Sequence, residues 1–485
     1  RIEVFEMTLI HLRVSDAETQ KPVPVRIRVA DLLGNSFHPL GRQQFFLTQP
    51  HIAVGGQVAF ENKKYYYING ACEIDLPAGV YNIEITKGER FHSVSKNIEI
   101  TQGQAALRIN IERKTNSPWL NWISGDARCH DLSYPAAVLE GSAEGLDLVH
   151  LLVRENILPG TDAVDVSRIL DFSGQEIAFQ KFGCSLFVNT LNHHPFLGTI
   201  GIIHSHRPVF PLVSSSSESP GIWSLVDWCR QGHRKNGLIT WVFDAANEYQ
   251  GEALAALILN EIDVFEISNL SLEDNSPILF WYTLLNAGIK TKAVGSSGKD
   301  SNAVFLGHPK TWARKQTLSD MPTHLSWLES ARSGDSFFSV GPFLELSITK
   351  ITTLIEVQLI AHDLSPEDEI ELVIDGKVIT IDRDKSLASV VIVKNLDPSE
   401  FEWVSGRVIS SRNNKPAVKA HTNPLFSTSA KGEVGQQKLE AIKKLEILFD
   451  NTETWLRTLE LKENKRVDQI LGFITEAKAK LASGN

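Results

Sequence analysis

His204-Ser205-His206 sets two imidazoles two positions apart. On a strand that spacing turns both side chains to one side, where they can share a cation. The surrounding segment is rich in Pro and Ser, so the expectation is a loop or surface pair, with pocket lining or an unusual ligand pair as alternatives. Asn192-His193-His194-Pro195 is assigned to the same long connection after a strand. His150 precedes an apolar strand and reads as a core or helix-end residue. The four cysteines, Cys72, Cys129, Cys184 and Cys229, form no CxxC pair, which argues against a structural zinc site of that type. Cys129 alternates away from Arg128 and His130 and is expected to face a helix layer as a buried thiol. Gly295-Ser296-Ser297-Gly298-Lys299-Asp300-Ser301 invites a phosphate-loop reading but lacks the GxxxxGK[ST] spacing. A plain strand-end turn is one reading of it. A site where its amides and Lys299 hold an anion is the other.

The elements that must position these groups come from a chain of 485 residues, 42% hydrophobic and 22% charged. Those fractions are globular, and the length suggests roughly three domains. A net charge of −10 argues against a general nucleic-acid binder. No run of about 18 apolar residues marks a transmembrane helix. The first residue is Arg1, not Met, so the chain reads as trimmed, processed or a fragment; a removed signal peptide together with the β-rich modules suggests a secreted or periplasmic protein, with a cytoplasmic one as the alternative. From about Ile2 to Glu112 short alternating runs such as Val25–Val29 are separated by turns such as Leu33-Gly34-Asn35. From Pro118 to Pro342 apolar runs (Leu146–Val153, Leu186–Leu191, Leu238–Phe243, Val264–Ile267, Lys292–Gly295) alternate with helical segments (Pro135–Glu144, Ile222–Arg234, Ala253–Leu259, Ile278–Ala287, Leu325–Ser333). This predicts an α/β domain with a mainly parallel sheet or barrel. From Phe343 to Phe426 the pattern returns to β, with a hairpin at Asp375-Gly376. After the polar stretch Ser427–Gly435, two stripes at helical spacing follow: Leu439, Ile442, Leu445, Phe449, Leu456, then Val467, Ile470, Leu471, Ile474, Leu481. They predict a helical pair packed on the body, or else an oligomer contact.

Two resemblances refine this reading. The segment Glu73–Ile85 resembles the small β-sandwiches related to transthyretin and the carboxypeptidase regulatory domain. Ser124-Gly125-Asp126-Ala127-Arg128-Cys129-His130, then Ala143-Glu144-Gly145-Leu146-Asp147, resembles the opening of a PHP-type metallohydrolase domain (polymerase and histidinol phosphatase superfamily), of the CehA/McbA family. That family's pattern is Gly-Asp-Leu-His-x-His, then Ala-x-Gly-Leu-Asp. Gly174-Gln175-Glu176, Gly183, His233–Leu238, Trp281 with Leu284–Gly288, Val294–Asp300 and Gly341-Pro342 follow in family order, so the likeness spans roughly residues 118–345. It implies a distorted (β/α) barrel and hydrolysis of ester, amide or phosphoester bonds by metal-activated water. The fold class expected is therefore multidomain α/β plus β. A β-sandwich (1–115) is followed by a PHP-like barrel (116–345), a second β-sandwich (346–430) and C-terminal amphipathic helices (431–485).

The ligand positions depart from the family. Arg128 stands for the first His, Arg154 for an acid, Glu155 and Cys184 for His. Phe243 lies near the His-Pro position, and Asp300 takes the place of the last His. His130 and Glu176 match. A guanidinium cannot ligate a cation. The expectation is that Arg128, with Arg154, takes the place and charge of the metal, buried and paired with Glu155, Glu176 or Asp300. No cofactor is then expected, and the chain would be a binding or assembly protein. The alternative is a hydrolase with one divalent metal (Zn, Mn or Fe) on His130, Glu176 and Asp300, which would then also be its catalytic residues. A Cys184 nucleophile with His130 as base is a further alternative. Arg128, Arg154 and Lys299 are the expected anchors for an anionic group. The expected partners are a second copy or an assembly reached through the C-terminal helices, with no nucleic acid.

Overall fold

Period-two alternation builds the first sheets. In the computed structural model, Ile10, Leu12 and Val14 of Met7–Asp16 are buried beside Ile74 and Leu76 of Ala71–Pro77 and Ile109 and Ile111 of Ala106–Ile111. These strands form one sheet, antiparallel on one side of Met7–Asp16 and parallel on the other. A second sheet runs Gln57–Phe60, Lys63–Ile68, Val25–Asp31, Gly79–Thr86, Val94–Ile100. Its Val25, Ile27, Val29, Tyr81, Ile83 and Ile85 meet the first sheet's side chains in one buried cluster. Full burial of each such side chain contributes about 1.5–3 kcal/mol. The Pro77-Ala78-Gly79 turn joins strands of different sheets rather than closing a hairpin.

The structure describes residues 7–50, 53–115, 117–157, 164–165, 167–214, 223–273, 276–316, 321–351, 353–412, 415–427, 435–459 and 465–483. The expected start of the β region at Ile2 and the interior of the polar stretch Ser427–Gly435 lie outside them. The chain is mixed α/β, with most elements strands in several sheets and seven α-helices among the described residues. It divides into two compact units. The first is Arg1–Leu151 with Ile177–Phe187 and Ser297–His308; the second is Leu152–Glu176, Val188–Ser296 and Pro309–Asn485.

In the first unit, Trp122–Cys129 pairs in parallel with Leu148–Val153, with Gly125 opposite Leu148 and Asp126 opposite Val149. Parallel pairing needs a crossover, here helix α1 (Tyr134–Ala143). Ser133 starts α1 by accepting the Ala136 amide, and Pro135 suits the first turn. Gly145 follows its end at φ 75, where an added Cβ would lie 3.1 Å from the Cα of Gly88. Val58, Tyr67, Ala143 and Phe305 close a small second core.

In the second unit, Leu238–Val242, Val264–Ile267 and Lys292–Gly295 are parallel and nearly all buried, hence their unbroken apolar runs. The sheet is not parallel throughout. His193 and His194 lie on a strand, and Gly198–Ile203, read as part of a long connection, is also a strand, antiparallel to both its neighbours. Gly201 masked its signal. An added Cβ there would lie 2.5 Å from Thr240 Oγ1, so close packing requires glycine. Helices α2 (Leu225–Arg234), α3 (Gly251–Ile258), α4 (Pro277–Asn286) and α5 (Thr323–Ser333) fall on the expected segments. Strands Lys310–Arg314, Ser336–Ser339, Lys415–Thr422, Trp403–Arg412, Glu369–Ile374 and Lys377–Ile381 pair in that order within the same 15-stranded sheet, the last two turning at Asp375-Gly376 as expected. Phe343–Ile351, Leu354–His362 and Val390–Leu396 form another. The C-terminal pair, α6 (Gln436–Thr458) and α7 (Lys465–Ser483), buries Leu445, Phe449, Leu456, Ile470 and Ile474 in the core it shares with α2, α3 and α4. Leu439, at one end of the expected stripe, stays 48% exposed. No helix among the described residues is long and apolar enough to cross a membrane.

Candidate functional site

Asp126 organises the end of the strand Trp122–Cys129. Its buried carboxylate accepts the amides of Ser297 (3.0 Å), Arg128 (3.1 Å) and Gly307 (2.8 Å). Burial raises its pKa to about 6 against the pull of these hydrogen bonds. The turn after Gly295 is thereby held along the strand. Gly298 N–H donates to Arg128 O (3.0 Å) and His130 N–H to Lys299 O (2.7 Å), bridging Cys129 and Lys299 in parallel. That register sends Cys129 and Lys299 to one side of the strand and Arg128 and His130 to the other.

On the Arg128 side, Nη1 of the half-buried guanidinium lies 3.1 Å from Nε2 of His130, which is 1% exposed. A guanidinium only donates, so Nε2 accepts and carries the lone pair, leaving the ring proton on Nδ1. That is the lone pair a metal would take. Gly298, at φ 58, makes room, since a Cβ there would lie 2.9 Å from Arg128 Nη2. Asp300 follows on the same segment, half-buried.

On the other side, Lys299, expected among the anion anchors, points its ammonium at Glu140 Oε2 (3.5 Å), Ser301 O (3.0 Å) and Val304 O (2.6 Å). Both side chains of the Lys299–Glu140 pair are fully buried. Burial raises the Glu140 pKa, which Lys299 and the Gly56 amide oppose. Cys129 is buried as expected, its Sγ 3.6 Å from His150 O. His150 is buried and stacks on Phe187. Cys184 is buried, and desolvation pushes its thiol pKa well up, which keeps it protonated and a poor nucleophile.

Arg154, Glu155 and Glu176 belong to the second unit. Glu155 accepts the Leu212 and Val213 amides, while partial burial raises its pKa. Glu176 is exposed, and its charge acts on His324. His324 and His204 have ring centroids 5.6 Å apart, and burial with the His324 charge lowers the His204 pKa to about 4. His206 is exposed and its Nδ1 donates to Lys235 O. Phe243 stacks on Phe280 at 4.1 Å. Among the described residues no group of three or more His, Cys, Asp or Glu is placed to hold a metal ion.

Sequence reasoning missed a buried polar cluster in the first unit. Tyr67 donates to Glu144 (2.7 Å), with Arg26 at 3.4 Å and His308 at 3.6 Å from the same carboxylate. Glu140 accepts the Gly56 amide at 2.6 Å. The available signal was two glutamates at i, i+4 among Ala137, Val138 and Ala143, a carboxylate pair on an apolar helix face. Scanned against models of protein families, the chain matches none, and a search of curated proteins finds no match either.

Proposed function

We propose that this chain is a PHP-like homologue of the CehA/McbA metallohydrolases that acts as a binding or assembly protein without the family's metals. In this reading residues 116–345 form the distorted barrel and 1–115 and 346–430 the flanking β-sandwiches. The observation that carries it is the Arg128–His130 contact at 3.1 Å, which uses the His130 Nε2 lone pair and sets a fixed positive charge where a cation would sit. The amide commitments of Glu155 and the exposure of Glu176 support it further. An assembly contact through the C-terminal pair would use outward residues, such as Leu439 and Ile447, because the inward stripe is buried within the chain. Elemental analysis of chain purified without chelator tests the reading. No stoichiometric Zn, Mn or Fe is expected. One or more per chain, lost in His130→Ala or Glu176→Ala, would return the protein to the single-metal hydrolases.

A further inference from the structure

We propose that the first unit carries a second site, a groove that takes a small aromatic or aliphatic carboxylate. The groove is independent of the Arg128–His130 site and lies among Pro39–Arg42, Ile68–Glu73, α1 and the hairpin tip Phe179–Phe182. Its volume of about 440 Å³ falls within the range of small-molecule pockets.

Arg42 supplies the anion contact. Its Nη2 donates to Tyr67 O at 3.0 Å, and among the described residues no carboxylate pairs with it. It is partly buried, and Gly56, at φ 77, clears its path, since an added Cβ would collide with Nη1. A planar fork held in this way and still lacking a carboxylate suits a carboxylate ligand.

The apolar wall carries an independent mark. Phe182 and Gly183 form a two-residue hairpin turn with φ 57 and 81. Asn or Asp is the residue such a turn favours before Gly, and a bulky aromatic in the left-handed region works against local preference. The strain persists with the ring 36% exposed, held by Ser142 Oγ donating to Phe182 O at 2.9 Å. Retained strain of this kind gathers at ligand clamps. Lys181 sets its ammonium 4.9 Å from the Phe182 ring and adds a second positive charge, and the exposed Glu73 offsets one of the two. Cys72, its thiol pKa pushed up to about 12 by burial, adds none. An anionic head on Arg42 with its apolar body against Phe179, Phe182 and Leu139 satisfies every wall.

Titration of the full chain with 2-naphthoate and with neutral 2-naphthol tests this. The naphthoate is expected to saturate, with the naphthol at least about tenfold weaker, and Arg42→Gln is expected to erase that difference. Phe182→Asn should weaken naphthoate binding while keeping or raising the melting temperature, because Asn suits the left-handed position. That variant decides the matter should Arg42→Gln fold poorly. Cys72, the one cysteine not buried, should alkylate more slowly with naphthoate bound. Equal affinity for both probes, no binding up to about 1 mM, or naphthoate affinity unchanged in Phe182→Asn overturns the proposal.

Discussion

Lys299 and Glu140 form a fully buried ion pair, so each holds the other's charge in place of water. Removing one partner of such a pair costs roughly 3–5 kcal/mol, because the survivor is left uncompensated. Lys299→Met is therefore expected to lose that much in urea unfolding, and adding Glu140→Gln should recover part of it. Among the described residues no cation pairs with a second buried acid, Glu252. Desolvation raises its pKa to about 7, against hydrogen bonds from Ser224 and the Leu225 and Val226 amides. The folded state thus binds this proton more tightly than the unfolded state. Stability from this group is full below the unfolded value of about 4.5 and falls as pH rises toward about 7. Glu252→Gln should flatten the melting profile across that window and be the more stable protein at pH 8; an unchanged slope would count against this. At this scale the sequence showed that Arg128 and His130 share a side of a strand. It could not show that Lys299 turns to the opposite side, because that follows from its bridge to Cys129, a pairing between distant segments.

Among elements, helices were legible from local pattern, as where the expected Pro135–Glu144 and Ile278–Ala287 match α1 and α4 to within one residue; in the structure Ser133 and Ser276 cap those two helices. Strand direction was not, since it depends on the partner, and Gly198–Ile203 was hidden by a glycine that tertiary packing requires. The docking of α6 rests on a similar close approach. Gly251 N–H donates to Thr452 Oγ1 at 2.9 Å, and an added Cβ would lie 2.6 Å from that oxygen and 2.8 Å from Leu448 O. Gly251→Ala should push α6 from α3 at a cost of about 1–3 kcal/mol. Hydrogen exchange would show faster α6 amides, with the first unit unchanged.

For the whole molecule, the change of hydrophobic pattern suggests a boundary near residue 115, and the first compact unit runs through Leu151. The ties that extend it are long-range, as between Gly56 N–H and Glu140, 84 positions apart, and no local pattern reveals them. Lys87 reaches Ser142 O at 3.1 Å and Arg90 grips Asp147 with two bonds of 2.9 and 2.8 Å. The strand Lys63–Ile68 and α1 should therefore open together, with matching free energies from amide exchange. Independent opening of α1 would separate them. How the molecule functions turns on whether the His130 lone pair is free. Calorimetric titration of Zn²⁺ into the wild-type chain and into His130→Ala asks this directly. The account predicts superimposable curves with no one-equivalent phase. A one-equivalent phase in the wild type that is missing from His130→Ala would contradict it.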